Sequence, residues 1–130
     1  MNTTWKYVKP LENAFAVKDY LNKYHICLPD NLISILERYN GGRPSEKQIV
    51  TSKNKEYVFK ALLSYNKNDS ETIYKIYPEL FGKTSLYPIG SDAAGNFICY
   101  DTNAMKYVLF NHETETVEII KNSLFGGYGI

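Results

Sequence analysis

The sequence predicts an α+β fold, with two amino-terminal helices packed on one face of an antiparallel or mixed β-sheet. Three observations predict it. Apolar residues recur at helical spacing through the first 40 residues, short alternating segments joined by tight turns fill the chain after residue 86, and 130 residues suit a single domain spanning 1–130.

The first helix is expected over Asn13 to Tyr24, where Ala14, Val17, Leu21 and Tyr24 fall on one face. His25, Ile26 and Cys27 connect it to Leu28-Pro29-Asp30. Proline suits the first turn of a helix, because its missing N–H would be unpaired there, and Asp30 favours the same end electrostatically. Leu32, Ile35, Leu36 and Tyr39 form the second apolar stripe. Asn40-Gly41-Gly42 stops it, since glycine accepts the left-handed cap conformation.

Arg43 to Asn54 is polar and reads as loop, with Gln48-Ile49-Val50 as its one candidate strand. Tyr57 to Tyr65 is apolar on both alternating faces, as in a strand covered on two sides. After the turn Asn66 to Ser70, Ser70 can cap a short helix through Ile73, Ile76 and Tyr77 that ends near Pro78. Leu86 to Ile89 reads as a strand, Gly90 to Gly95 as a loop, and Asn96 to Asp101 with Lys106 to His112 as a hairpin. Val117 to Ile120 adds another strand.

The hairpin has a register. If Asp101 opposes Lys106, then Cys99 opposes Val108, Phe97 opposes Phe110 and Gly95 opposes His112. Phe97, Cys99, Val108 and Phe110 then share one face, and Ile98, Leu109, Tyr100 and Tyr107 share the other. A slip of one residue would turn every side chain over.

Composition excludes several functions. No apolar run approaches the roughly 20 residues that cross a bilayer, and the segment after Met1 lacks the order of a signal peptide, so a cytoplasmic protein without membrane contact is expected. Cys27 and Cys99 are too few for a disulfide framework. A net charge of +1 makes no case for direct nucleic-acid binding. The lysines concentrate in the first half, while Asp92, Asp101, Glu113, Glu115 and Glu118 make the last third acidic, an asymmetry that can steer a basic partner. Twelve tyrosines against one tryptophan suit core edges and protein interfaces alike.

No catalytic constellation emerges. Cys99 and His112 lie on one hairpin face, but four strand residues separate His112 from the partner of Cys99, about 13 Å at roughly 3.3 Å per residue. The two cysteines and two histidines meet no usual zinc spacing. Asp92, Asp101, Glu113 and Glu115 could supply an acid and a base, yet carboxylates are common at turns, and Asp92 is expected to accept backbone N–H groups of its own loop, with Gly95 at positive φ. Gly41-Gly42-Arg43 and Gly126-Gly127-Tyr128-Gly129 fit neither a P-loop nor a dinucleotide fingerprint. No catalytic residue, metal or cofactor is expected.

The same residues carry a family resemblance. Leu28-Pro29-Asp30 followed by Tyr39-Asn40-Gly41-Gly42, then Tyr87-Pro88-Ile89-Gly90-Ser91-Asp92 continued by Ala94-Gly95-Asn96-Phe97-Ile98-Cys99-Tyr100-Asp101, then His112-Glu113, resemble the signatures of the SUKH superfamily, the Smi/Knr type. The resemblance implies an α+β fold and, for bacterial members, an immunity protein that binds and blocks a toxin, often a nuclease. Eukaryotic relatives imply the alternative, a non-catalytic regulatory or scaffold module in cell-wall control. Leu28, Pro29, Asn40, Gly41, Gly42, Gly90, Gly95, Asn96, Cys99 and His112 match the motifs and read as the structural frame.

Tyr87, Asp92, Tyr100, Asp101, Glu113 and Glu115 are the candidate contacts for a cognate toxin. The chain departs from the family's pattern after Asn122-Ser123-Leu124-Phe125, where a closing helix is short or absent. That predicts a partly uncovered sheet near the C-terminus, which either exposes an apolar patch for a partner or for a second copy of the chain as a homodimer, or weakens the domain.

Overall fold

Helical spacing folds into α1 (Ala16–Lys23) and α2 (Asp30–Arg38) in a computed structural model that describes residues 3–127. Ala16, Val17, Tyr20 and Leu21 of α1 and Leu32, Ile35 and Leu36 of α2 enter the core. The first helix begins at Ala16 and not at Asn13. The Asn13 side chain accepts the Phe15 N–H at 2.9 Å, which makes a turn before the helix and leaves Ala14 and Phe15 exposed. Pro29 stands in extended backbone immediately before α2, and Gly41 follows it at φ +67°.

Two residues at the amino-terminal end, β1 (Trp5–Lys6), pair with β2 (Arg43–Pro44). The rest of the sheet is β3 (Gln48–Val50), β4 (Glu56–Leu62), β5 (Leu86–Asp92), β6 (Phe97–Asp101), β7 (Lys106–Asn111) and β8 (Thr116–Ile119). These six run in sequence order, each antiparallel to the next. The β6–β7 register is the expected one: Asp101 opposes Lys106, Cys99 opposes Val108 and Phe97 opposes Phe110. β5 runs three residues past Ile89, because Gly90 and Ser91 pair with both Leu62 and Ala61 on β4 and Ile98 and Phe97 on β6. Gly90 has no room for a side chain, since a Cβ would come within 2.6 Å of the Phe59 ring and 2.7 Å of the Ala61 carbonyl.

Between β4 and β5 lies α3 (Ile73–Ile76), which does not stop at Pro78. It passes into a wider π-type turn over Tyr77–Phe81, where proline occupies an early position and its missing N–H is no loss. That continuation seats Phe81 against Phe97 and Phe110, with ring centroids 5.7 and 5.2 Å apart. It also carries Tyr77 to Tyr24 and Tyr87. Tyr20 joins the same aromatic group through Tyr24, Tyr65 and Tyr74, and the Tyr65 and Tyr87 hydroxyls share a 2.5 Å hydrogen bond. Tyrosine thus builds much of the core between the helices and the sheet.

The sheet curls until its two ends meet. Thr51 bridges Ile120, Lys121 N–H donates to the Val50 carbonyl at 2.8 Å, and Ser52 N–H donates to the Ile119 carbonyl at 2.7 Å. Asn122 holds the join from the side, accepting the Val50 N–H at 2.7 Å and donating to the Gln48 carbonyl at 2.8 Å.

The closing element after residue 123 is short, as expected, and it leaves Val117 and Ile119 of β8 exposed. A 3₁₀ turn over Leu124–Gly127 follows the last strand, and Leu124 and Phe125 are buried. Phe125 packs on Trp5 and Phe59 at 5.0 and 5.1 Å, a burial that contributes about 2 kcal/mol. Tyr128, Gly129 and Ile130 of the expected glycine-rich tail lie outside the described residues.

Candidate functional site

The signature loop after β5 is built around Asp92, which is buried. One carboxylate oxygen accepts the backbone N–H of Ala94 at 3.0 Å and of Asn96 at 2.7 Å, and the other accepts Asn96 Nδ2 at 2.9 Å. Gly95 sits at φ +86°, a backbone that side-chain-bearing residues rarely adopt. Because Nδ2 of Asn96 faces Asp92, its Oδ1 faces His112. There it accepts the His112 N–H at 3.1 Å and lies 2.8 Å from Nδ1, which makes Nδ1 the protonated ring nitrogen.

The chain Asp92–Asn96–His112 therefore joins one loop to the turn after β7. It commits the Asp92 carboxylate, the Asn96 amide and His112 Nδ1, while His112 Nε2 lies 4.0 Å from Glu113 Oε1. The cavity that Asp92 lines takes in neither His112 nor Glu113. Cys99 is fully buried, and burial alone pushes its thiol well above the usual range, which removes it as a nucleophile near neutral pH. Among the described residues no group of three or more His, Cys, Asp or Glu side chains could hold a metal ion.

Asn40, the other polar signature residue, is buried and equally committed. Its Nδ2 donates to the Lys9 carbonyl at 2.8 Å and to Ser64 Oγ at 3.0 Å, and its Oδ1 accepts the Tyr65 N–H at 2.8 Å. One side chain ties the amino-terminal segment, the end of α2 and the end of β4 together.

The six candidate contact residues do not form one patch. Tyr87 (0% exposed), Asp92 (2%) and Tyr100 (5%) lie inside the domain and offer a partner no surface in this conformation. Tyr87 is held there by Tyr65 and Tyr77, Asp92 by its own loop, and Tyr100 by Tyr107 at 5.1 Å. Asp101 is half-buried and accepts the Asn103 and Ala104 N–H groups at the turn before β7. Burial raises its carboxyl and those bonds lower it, and the net direction is down. Glu113 and Glu115 are exposed, at the turn after β7 and so at the opposite end of that strand.

Glu118 also leaves the acidic surface. On β8 the apolar side chains point out and the acid points in. Val117 and Ile119 are 44% and 43% exposed, while Glu118 is 3% exposed. Its carboxylate accepts Thr51 Oγ1 at 2.6 Å and the Tyr57 hydroxyl at 3.3 Å across the join of the sheet. The signal was present at one remove: Glu118 opposes Leu109, which opposes Ile98, so a core face for Ile98 and Leu109 carries Glu118 inward.

Sequence reasoning also missed the ion pair of Lys60 and Glu71 at 2.5 Å. The Lys60 hydrogen bond holds the Glu71 carboxyl below its ordinary value against an opposing effect of burial, with smaller help from Ser91 and Arg43. No helix among the described residues is long and apolar enough to cross a membrane.

Helices laid on a curled antiparallel sheet, with the signature side chains spent on holding a loop and a turn, define an α+β module of the Smi/Knr kind. A model of the SMI1-KNR4 cell-wall family, SUKH_6, matches residues 18–125, and the chain belongs to that family. No curated protein and no solved structure matches the chain. Family membership makes it an SMI1/KNR4-like or immunity-type module, of a kind that is generally non-catalytic.

Proposed function

We propose that the protein is an immunity protein that neutralises a cognate bacterial toxin by binding over the toxin's working surface. The family match over residues 18–125 carries the reading. It is supported by the full commitment of Asp92, Asn96 and Asn40 to hydrogen bonds within the fold, which leaves recognition to surface side chains. Acidic groups at strand ends, half-buried Asp101 on one side and exposed Glu113 with Glu115 on the other, are contacts for basic patches of the toxin. Neutralisation needs no bond making, only occlusion.

Expression of the chain should protect cells from a toxin encoded beside it, and the purified pair should bind at about micromolar concentration in low salt. Failure to bind that neighbour overturns the reading. The family description, which refers to the cell wall, favours a second reading: a regulatory or scaffold module of the cell-wall type. A toxin-like reading frame immediately upstream of the gene separates the two, since only an immunity protein needs one there.

A further inference from the structure

Three adjoining cavities make one groove on the side of the domain that carries β1 and β2. The first, about 290 Å³, lies between Lys6, Tyr7, Arg43 and Lys47. It shares Tyr7 and Arg43 with the second, about 360 Å³, which adds Lys9, Lys60 and Glu71. That one shares Lys60, Ser70 and Glu71 with the third, about 350 Å³, whose walls include Leu63, Ile76, Phe97 and Thr72.

Six cations line this groove: Lys6, Lys9, Arg43, Lys47, Lys60 and Lys75. Only two acids do. Glu71 is taken by Lys60, and the oxygens of Asp92 are taken by its own loop. Among the described residues no carboxylate lies within ion-pairing distance of Lys6, Lys9, Arg43 or Lys47. Tyr7 stands at the first junction, 72% exposed and at φ 57°, with the Arg43 guanidinium 5.6 Å from its ring centre. Arginine and tyrosine side by side are the residue types that anchor protein interfaces.

The third cavity differs in chemistry. Leu63, Ile76 and Phe97 give it an apolar wall.

We propose that this groove is the docking site for an extended acidic segment of a partner protein, its carboxylates along Lys6–Arg43–Lys9–Lys60 and an apolar side chain in the Phe97 cavity. The inference rests on the reading of the chain as a protein-binding module and places its principal contact on the basic face. Nucleic acid suits the groove less well. Single strands need a run of aromatic platforms, whereas the rings lining this groove are exposed Tyr7 and half-buried Phe97, in a chain whose net charge is only +1.

The test is an amide chemical-shift titration of the whole chain with an acetylated peptide of four glutamates, a glycine and a leucine. A serine-for-glutamate peptide and a thymidine oligonucleotide serve as comparisons. The acidic peptide should bind with Kd on the order of 1 mM, shift amides near Arg43, Lys60 and Thr72, and weaken about tenfold between roughly 20 and 200 mM salt. Arg43→Glu with Lys47→Glu should abolish binding, whereas Lys23→Glu on α1 should leave it unchanged. No shifts at about 5 mM peptide, equal binding by the serine peptide, tighter binding of the oligonucleotide, or binding unaffected in the Arg43 and Lys47 variant each overturns the proposal. If the chain binds its neighbouring toxin and that variant binds it equally well, the groove is wrong and the immunity reading stands. Peptide binding without toxin binding gives the opposite result.

Discussion

Two buried carboxylates hold this molecule together, and they do it over different lengths of chain. Asp92 takes all of its donors from Ala94 and Asn96, within four residues of itself. Glu118 takes its donors from Thr51 and Tyr57, which lie 67 and 61 residues away. The first organises a loop that can form as soon as its own segment is synthesised. The second exists only when the last strand has come round to the first. Local networks of backbone donors are read from a motif, whereas a long-range pair is read only from the finished fold.

That contrast can be broken from either side. Asp92→Ala leaves the Ala94 N–H and the buried Asn96 N–H and side-chain amide without an acceptor, so it should have the largest effect, a loss of about 3 kcal/mol in urea unfolding. His112 should also lose its partner, visible as a changed ring resonance. Glu118→Ala strands two hydroxyls, and hydroxyls can turn to other acceptors, so a smaller loss of about 2 kcal/mol is expected. Its signature is regional: faster hydrogen exchange at the Ser52 and Lys121 amides, with those of Ala94 and Asn96 unchanged. Equal acceleration at both places would show that the two networks are one cooperative unit.

A pH titration sharpens the same distinction with a smaller effect. Burial first, and then the Glu118 charge, raises the Tyr57 hydroxyl above its ordinary value of about 10. Because the folded value is the higher one, the stability Tyr57 contributes is intact below about pH 10 and is lost as pH rises through the folded value. Once ionised, Tyr57 can no longer donate to Glu118 and repels it. The Asp92 loop has no such donor. Exchange at Ser52 and Lys121, corrected for the intrinsic rate, should therefore accelerate in alkali before exchange at Asn96 does. The reverse order would remove Tyr57 from the join.

The elements legible in the sequence were those whose partners are near. The β6–β7 register followed from alternation over a four-residue turn, and the Asp92 loop from its glycine and its acceptor. Asn40 was visible as a signature residue but not as the tie between Lys9, Ser64 and Tyr65, since those partners lie 31, 24 and 25 residues away. Glu118 was counted with the acidic surface, because alternation says which residues share a face and not which face is inside. Of the candidate contacts, Tyr87 and Tyr100 were read as interface tyrosines; Tyr87 is buried in an aromatic core assembled from four separate elements, and Tyr100 against Tyr107 of the neighbouring strand. The cationic groove was illegible for the same reason: Tyr7, Arg43, Lys60 and Lys75 meet only after folding.

The join between β3 and the end of β8 also bears on how the protein behaves in a crowded cell. An open six-stranded sheet would present a row of unpaired backbone donors and acceptors at each border, ready to template a strand from another chain. Here Val50, Ser52, Ile119 and Lys121 satisfy one another, which removes most of that template. The protein can accumulate with less risk of strand exchange or fibre growth, and a partner is left to recognise side chains rather than to add itself as a seventh strand.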